Sequence, residues 1–182
     1  MTLESLALQG RSKTYSSLAA SLSTRVYELR KESIKESLSD AHSSEHRMEY
    51  IANIHGIEFI NDSKACSINS TWYSLETMTR SLIWVTGGAD RETHYAMVRQ
   101  LVEQKVKTII CLGHDSQRVV QAFGDLDIPI LTARDMDEAV TLSYHLGKDG
   151  DCVLLSPACA SFDMFEDYEE RGRAFKLAVK KL

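Results

Sequence analysis

The chain has 182 residues, of which 43% are hydrophobic and 26% are charged, and its formal net charge is −5. This size and composition fit one soluble globular domain with an extra helical piece, whose core needs no disulfides. The acidic balance argues against nucleic acid or an anionic membrane surface as the main partner. The sequence contains no apolar run that could span a bilayer and no secretory signal at its start, so we expect a cytoplasmic protein. We also expect a monomer.

The first part of the chain predicts helices that are separate from the rest. Residues 15–29 are rich in alanine and leucine and predict one helix, and residues 34–38 predict a short second helix with Ser33 as its cap. Residues 40–45 are polar and are the best linker candidate. We therefore divide the chain into residues 1–42 and residues 43–182.

The second part predicts a doubly wound, Rossmann-like α/β domain. Residues 49–55 and 57–61 are β-prone on either side of Gly56 and predict a hairpin. Short, continuously apolar strands that alternate with amphipathic helices then predict a mostly parallel sheet with helices on both faces. The apolar runs are residues 57–60, 82–86, 108–112, 128–131 and 153–155, and the helical stretches are residues 68–78, 95–104, 117–123, 137–146 and 168–181.

Polar, charged and small residues collect directly after four of these runs. In an open α/β sheet, ligands bind beyond the carboxyl ends of the strands, so we expect these segments to converge at one edge. Each segment leads into a helix, whose free N–H groups favour ligands with carboxylates or phosphates. The segments are Asn61-Asp62-Ser63-Lys64-Ala65, Gly87-Gly88-Ala89-Asp90-Arg91, Gly113-His114-Asp115 and Ser156-Pro157-Ala158-Cys159-Ala160-Ser161.

Simpler interpretations remain open for each motif when it is taken alone. Asp62 or Ser63 can be a helix cap beside an exposed lysine, and the pair His46 and Arg47 can be surface residues. Ser161 lacks the G-x-S-x-G context of a hydrolase nucleophile. The chain contains no phosphate loop, the six histidines show no metal-binding spacing, and no metal ligand is assigned. The charged residues from 166 to 181 suggest a solvated helix face. The four cysteines suggest small core residues with reduced thiols, as in a cytosolic protein.

The order of the motifs is more specific than any single motif, and it resembles the C-terminal domain of the Mur ligase family, most closely the members that add D-glutamate. The resemblance covers nearly everything from residue 45 onward, and residues 5–20 resemble more loosely the end of the family's central ATPase domain. The segments that carry it are Glu45-His46-Arg47-Met48-Glu49, residues 59–65, Asn69-Ser70-Thr71, Gly87-Gly88-x-Asp90, residues 154–163 and Tyr168-Glu169-x-Arg171-Gly172-x-x-Phe175.

The resemblance implies the C-terminal part of an ATP-dependent ligase of peptidoglycan biosynthesis that adds D-glutamate to UDP-N-acetylmuramoyl-L-alanine. In such enzymes ATP phosphorylates the acceptor carboxylate, and the amine of the incoming amino acid attacks the acyl phosphate. ATP and Mg²⁺ would serve the full-length enzyme, because Mg²⁺ and cationic donors stabilise the dispersed negative charge. The family's UDP-binding domain, phosphate loop and Mg²⁺ ligands would precede Met1, so we expect the isolated chain to be inactive.

The resemblance also implies roles for individual residues. His46 and Arg47 would approach the nucleotide at the interdomain edge, with Arg47 near its phosphates. Asp62 would contact the ribose, and Lys64 would face the nucleotide and the reacting groups. The D-glutamate pocket would be lined by Ser161, Phe162, Tyr168, Arg91 and Cys66.

Departures from the family pattern leave two alternatives open. Cys66 stands where the family usually has threonine, and Arg91 stands where it usually has lysine, which changes the donor geometry. Lys13 and Ser16 replace two asparagines that approach the nucleotide in the family. The chain is therefore also compatible with another Mur ligase or a folylpolyglutamate synthase type of ligase, or with a non-catalytic binding module derived from the family.

Overall fold

A computed structural model describes residues 45–87, 94–113, 116–161 and 164–182. His46–Leu182 form one compact unit. The predicted helices at residues 15–29 and 34–38 lie outside the described residues, as does the predicted linker apart from Glu45. The division of the chain near residue 43 therefore stays a prediction.

Six strands form one mixed sheet. They are β1 (Glu49–Ile54), β2 (Ile57–Asn61), β3 (Leu82–Gly87), β4 (Val106–Leu112), β5 (Ile130–Ala133) and β6 (Cys152–Leu155). Their spatial order is β1-β2-β6-β3-β4-β5. β1 pairs antiparallel with β2, and each of the other neighbouring pairs is parallel. The predicted hairpin and the mostly parallel sheet are both confirmed.

Within the described residues, four helices lie between strands along the chain and a fifth follows β6. They are α1 (Ile68–Thr77), α2 (Arg99–Lys105), α3 (Gln117–Phe123), α4 (Met136–Leu146) and α5 (Tyr168–Lys180), with a 3₁₀ turn over Tyr95–Val98 before α2. Three of them begin at side chains that accept a hydrogen bond from the first turn: Ser67 before α1, Asp135 before α4 and Asp167 before α5. Among the described residues, no helix is long and apolar enough to cross a membrane.

The hydrophobic core lies on both faces of the sheet, as the continuously apolar strands predict. Leu82 and Trp84 of β3 face one cluster, which contains residues of α1, α2 and α3, and Ile83 and Val85 face the other, which contains residues of α4 and α5. Alternate residues of a strand point to opposite faces, so a strand buried on both sides must be apolar at every position. The prediction of a doubly wound domain is confirmed.

Several element boundaries differ from the predicted ones by one or two residues, and two of the differences concern β5 and the helix after β3. The apolar run at residues 128–131 begins two residues before β5. Pro129 has no N–H to donate, although its carbonyl accepts from the N–H of Ile109 at 2.9 Å, and pairing with β4 continues from Ile130. The helix predicted at residues 95–104 divides into the 3₁₀ turn and α2.

Candidate functional site

The loops that follow β2 and β6 meet the end of β3 at one edge of the sheet. The N–H of Ala158 donates to the carbonyl of Ala65 at 3.0 Å, and the N–H of Gly87 donates to the carbonyl of Pro157 at 2.9 Å. Ala158 adopts a left-handed conformation with φ of 60°, which is uncommon for a residue with a Cβ atom and is found most often at functional sites. Within the described residues, the structure therefore brings together the segments after β2 and β6 that the sequence singles out, and it places Gly87, the first residue of a third segment, beside them.

Asp62 lies at the centre of this edge and is buried. Its carboxylate accepts hydrogen bonds from the N–H of Met48 at 3.1 Å, from the hydroxyl of Ser74, and from the hydroxyl of Ser156 at 3.4 Å. Burial raises the pKa of Asp62 to about 6, although these hydrogen bonds and the charge of Arg47 act in the opposite direction. The carboxylate faces the interior, and its contact with a ribose stays a prediction.

The helix-cap interpretation of Asp62 and Ser63 is wrong. α1 begins later, with Ser67 as its cap, because its first turn starts at Ile68. The hydroxyl of Ser63 instead donates to the carbonyl of Tyr168 at 2.7 Å and joins the loop after β2 to the start of α5.

His46 is buried, which excludes the interpretation of His46 and Arg47 as a pair of surface residues. The side-chain amide of Asn61 lies 2.9 Å from Nδ1 of His46, and the carbonyl of His46 accepts from the N–H of Lys64 at 3.0 Å. A Cβ atom on Gly172 would lie 2.1 Å from Nδ1 of His46, so a glycine in α5 is what makes room for the imidazole. Arg47 itself is exposed.

Lys64 and Tyr168 are in contact. Lys64 is exposed, and its Nζ atom lies 5.2 Å from the centroid of the Tyr168 ring, within the range of a cation–π interaction. The ring of His46 lies edge-on to the same tyrosine, with 6.3 Å between the ring centroids. Residues predicted for the nucleotide side and for the amino-acid side of the site are thus neighbours.

Arg171 is a residue of this edge to which the sequence analysis assigns no role. It is only 2% exposed, so the interpretation of residues 166–181 as a uniformly solvated face is wrong at this position. Arg171, Phe175, Ala178 and Val179 recur at helical spacing and are all buried, and that periodicity was a signal for an inward-facing arginine. The guanidinium donates to five acceptors: the Ser63 hydroxyl at 3.0 Å, the Ser63 carbonyl at 2.8 Å, the Cys159 carbonyl at 3.3 Å, the Ala160 carbonyl at 3.1 Å and the Cys66 sulfur at 3.3 Å.

The predicted amino-acid pocket is described only in part. Cys66 is half-buried, and its thiol lies 3.6 Å from the carbonyl of Ser63. Ser161 is 3% exposed, and its carbonyl accepts from the N–H groups of Met164 and Phe165. Arg91 and Phe162 lie outside the described residues, as do Gly88 to Asp90 of the loop after β3 and the pair His114 and Asp115 after β4.

The cysteines and the acidic groups give no metal centre within the described ranges. Cys111, Cys152 and Cys159 are buried, as predicted, and no disulfide joins any of the four cysteines, all of which lie in described ranges. Burial raises the pKa of the Cys111 and Cys152 thiols to about 12, so both stay protonated and unreactive at neutral pH. The described residues contain no group of three or more His, Cys, Asp or Glu side chains that fits a metal ion.

Comparison with known proteins identifies a family. The sequence profile described as "Mur ligase, glutamate ligase domain" matches residues 46–159. A curated protein from Christiangramia forsetii, named UDP-N-acetylmuramoylalanine–D-glutamate ligase, is 45% identical over 182 residues, which are all of this chain and 41% of the relative. A protein of the same name from Bacteroides fragilis is 42% identical over 183 residues, again all of this chain and 41% of the relative.

A solved structure shows the same fold. The pseudomurein peptide ligase type C from Methanothermus fervidus matches with a TM-score of 0.72 and 14% sequence identity, over 94% of this chain and 36% of that chain. The chain thus spans about 41% of the length of the curated relatives that it matches. The resemblance seen in the sequence motifs is confirmed at the level of the family and of the fold.

Proposed function

Since this chain belongs to the Mur ligase family, we propose that it is the amino-acid-binding part of an ATP-dependent ligase that adds D-glutamate to UDP-N-acetylmuramoyl-L-alanine. The observation that carries this proposal is the meeting of the loops after β2 and β6 with the start of α5, in a domain whose full-length relatives bear that enzyme's name. The site offers the exposed cations Lys64 and Arg47 near a loop of small residues, of which Ala160 is exposed. Such an edge suits a ligand with more than one negative group.

The proposed reaction joins a carboxylate and an amine. ATP transfers its terminal phosphoryl group to the acceptor carboxylate, which turns a poor electrophile into an acyl phosphate. The amine nitrogen of D-glutamate then forms a bond to the acyl carbon, the bond from that carbon to the phosphate oxygen breaks, inorganic phosphate leaves and the nitrogen loses a proton. The protein's task is to orient both substrates and to stabilise the negative charge that collects on the phosphate and the tetrahedral carbon.

We assign the cations of the described edge to the nucleotide and the reacting groups. The ammonium of Lys64 is exposed and held near Tyr168 at 5.2 Å from the ring centroid, which leaves it directed away from the core. Arg47 is exposed on the segment that follows the bonded carbonyl of His46. In this proposal Lys64 and Arg47 contact phosphate oxygens, and His46 holds the backbone of its neighbour in position.

We assign the amino acid to the loop after β6 and the start of α5. Ser161 and Tyr168 would line the pocket with Cys66, and Phe162 and Arg91 would complete it. Cys66 offers a thiol in place of the hydroxyl that the family usually has, and a thiol is a weaker donor. The pocket therefore relies more heavily on cations and main-chain N–H groups to hold the two carboxylates of D-glutamate.

ATP and Mg²⁺ are proposed as requirements of the complete enzyme. The described residues provide no cluster of side chains suited to Mg²⁺, so no step above depends on a metal held by this chain. D-Glutamate, ATP and the UDP-linked acceptor are cytoplasmic metabolites, and we propose a cytoplasmic, monomeric enzyme. Light scattering after gel filtration tests the monomer, and a dimer mass contradicts it.

The function is tested by joining this chain to the preceding domains of a curated relative. We expect phosphate release that requires ATP, the UDP-linked acceptor and D-glutamate together, with a product mass that corresponds to one added glutamate. The chain alone is the control and is expected to release no phosphate.

The same assay separates the alternatives. Turnover with another amino acid, or with a folate as acceptor, identifies a different ligase of the family. No turnover with any substrate, combined with binding of a ligand by the chain alone, identifies a binding module.

A further inference from the structure

Among the described residues, the buried guanidinium of Arg171 has no acidic partner. Its five N–H donors all meet neutral acceptors, namely three carbonyls, one hydroxyl and one thiol. Within the described ranges, Arg171 forms no ion pair, although ion pairs are found for Arg80, Arg99, Arg134 and Arg173. A buried charge without a counter-charge is costly, and ionisable groups in such unusual surroundings cluster at functional sites.

The position of Arg171 connects it to the amino-acid pocket. It reaches from α5 to both loops of the site, since it contacts Ser63 and Cys66 after β2 and the carbonyls of Cys159 and Ala160 after β6. Each contacted segment directly adjoins a residue assigned to the pocket. Arg171 also lines a narrow cavity at this edge of the sheet, together with Thr86, Gly87, Pro157, Cys159, Met164 and Phe165.

The direction of the hydrogen bonds has an electrostatic consequence. Because the guanidinium donates to the carbonyls of residues 159 and 160, these two carbonyl oxygens of the loop after β6 point toward Arg171. The positive charge lies on the inner side of both loops, where the surroundings are largely protein rather than water. A charge in such a place acts over a longer distance than an exposed one, because it is poorly screened.

We propose that Arg171 is a positioning residue that selects for the dianionic amino acid. It ties the loops after β2 and β6 into the shape of the pocket, and its uncompensated charge favours a ligand with two carboxylates over one with a single carboxylate. Arg171 acts through Cys66 and the segment before Ser161 and does not touch the substrate. This inference rests on the proposed function, which places D-glutamate against those residues.

The experiment is a titration of the full 182-residue chain with D-glutamate and with D-glutamine, followed by NMR chemical shifts. The wild-type chain sets the ratio of the two dissociation constants. We expect Arg171→Met to weaken D-glutamate binding by about tenfold or more while weakening D-glutamine binding less, so that the ratio falls. Arg171→Lys keeps the charge but not the five N–H donors of the guanidinium. We expect it to weaken the binding of both ligands while retaining most of the wild-type ratio of their dissociation constants.

The outcomes separate the two proposals. A wild-type chain that binds neither ligand contradicts the proposed function, whatever the variants do. A wild-type chain that prefers D-glutamate, together with an Arg171→Met variant that keeps the wild-type ratio, overturns the inference. If Arg171→Met does not fold, Arg171→Lys decides the matter, because loss of the preference in a folded, charged variant overturns the role of the charge.

Discussion

At the scale of single residues, the site is built from buried polar groups as much as from exposed ones. Asp62, His46 and Arg171 are each at most 3% exposed, and each bonds to a segment distant in sequence. Buried polar groups of this kind are costly unless they are fully bonded, so they specify one arrangement of the loops. The exposed residues Lys64 and Arg47 then project from a frame that these groups hold rigid.

The carboxyl group of Asp62 predicts a pH dependence. Burial raises its pKa from 3.8 to about 6, so the folded chain binds this proton more tightly than the unfolded chain does. The contribution of Asp62 to stability is therefore greatest below its unfolded pKa, falls as the pH rises through about 4 to 6, and stays low above that. We expect the free energy of unfolding of Asp62→Asn, relative to that of the wild type, to rise by an amount on the order of 1–3 kcal/mol between pH 4 and 7.

Urea denaturation at several pH values measures this difference. Asp127→Asn at an exposed position is the matched control, and its difference from wild type should change little with pH. An unfolding free energy of Asp62→Asn that runs parallel to that of wild type across the range would refute the assignment.

At the scale of elements, a side chain of one helix provides hydrogen bonds to the C-terminal carbonyls of another. α1 ends without a basic residue of its own in its last turn. Lys105, at the end of α2, donates instead to the carbonyls of Leu75, Glu76 and Met78 at 3.0, 2.7 and 2.8 Å. A cation at a helix C-terminus satisfies the free carbonyls and complements the helix dipole. One side chain therefore joins α2 to the end of α1.

Replacement of Lys105 by methionine tests how much this contact contributes to stability. We expect Lys105→Met to lower the free energy of unfolding by about 1–3 kcal/mol, because it leaves partly buried carbonyls without their charged donor. Chemical denaturation measures the change, and Lys148→Met at an exposed position is the control. If the two variants have equal free energies of unfolding, water satisfies the three carbonyls as well as the Lys105 ammonium does, and the prediction is wrong.

A second prediction at this scale concerns the contact between α5 and His46. Gly172→Ala places a methyl group where Nδ1 of His46 would be 2.1 Å away. In an open helix this substitution stabilises by about 1 kcal/mol, because alanine is the better helix former. We expect the opposite sign here, since the imidazole must leave its place beside Asn61.

Thermal unfolding of Gly172→Ala checks that sign. The difference between Arg173→Ala and Arg173→Gly, at an exposed position of the same helix, reports the effect of helix propensity. A Gly172→Ala variant with a higher melting temperature than wild type would mean that His46 moves freely and does not hold the loop.

At the scale of the whole molecule, the proposed function makes this chain one part of a longer catalytic arrangement. The curated relatives extend well beyond it, since the chain covers 41% of their length. In the proposed function, turnover depends on residues of this edge acting on groups that other domains bring to it, and closure of one domain over another is a common way to exclude water at such a site.

Lys64 provides the test at this scale. In the chain joined to the preceding domains of a relative, we expect Lys64→Ala to lower turnover by roughly a hundredfold or more, because it removes a charge that stabilises the phosphoryl groups. The melting temperature should stay unchanged, since Lys64 is exposed. Steady-state kinetics and thermal unfolding give both values, with Lys148→Ala as the control. A full loss of turnover that is matched by loss of folding contradicts the assignment.

The sequence alone determined the class of fold, the hairpin, five of the helical stretches and the edge at which the loops meet. These features follow from local rules: apolar runs bury both faces of a strand, polar segments end them, and parallel strands share one carboxyl edge. The order of the motifs was sufficient to indicate the family before any coordinates were known.

Only the tertiary structure decided how the polar residues of that edge are used. The sequence did not reveal that the carboxylate of Asp62 faces inward, that Gly172 makes room for His46, or that Arg171 bonds to the loops after β2 and β6. Each of these depends on a partner at least 11 residues away in the chain, as with the bonds from Asp62 to Met48 and from Arg171 to Ser63. Burial and pKa depend on what surrounds a side chain in space, and local sequence does not encode those surroundings.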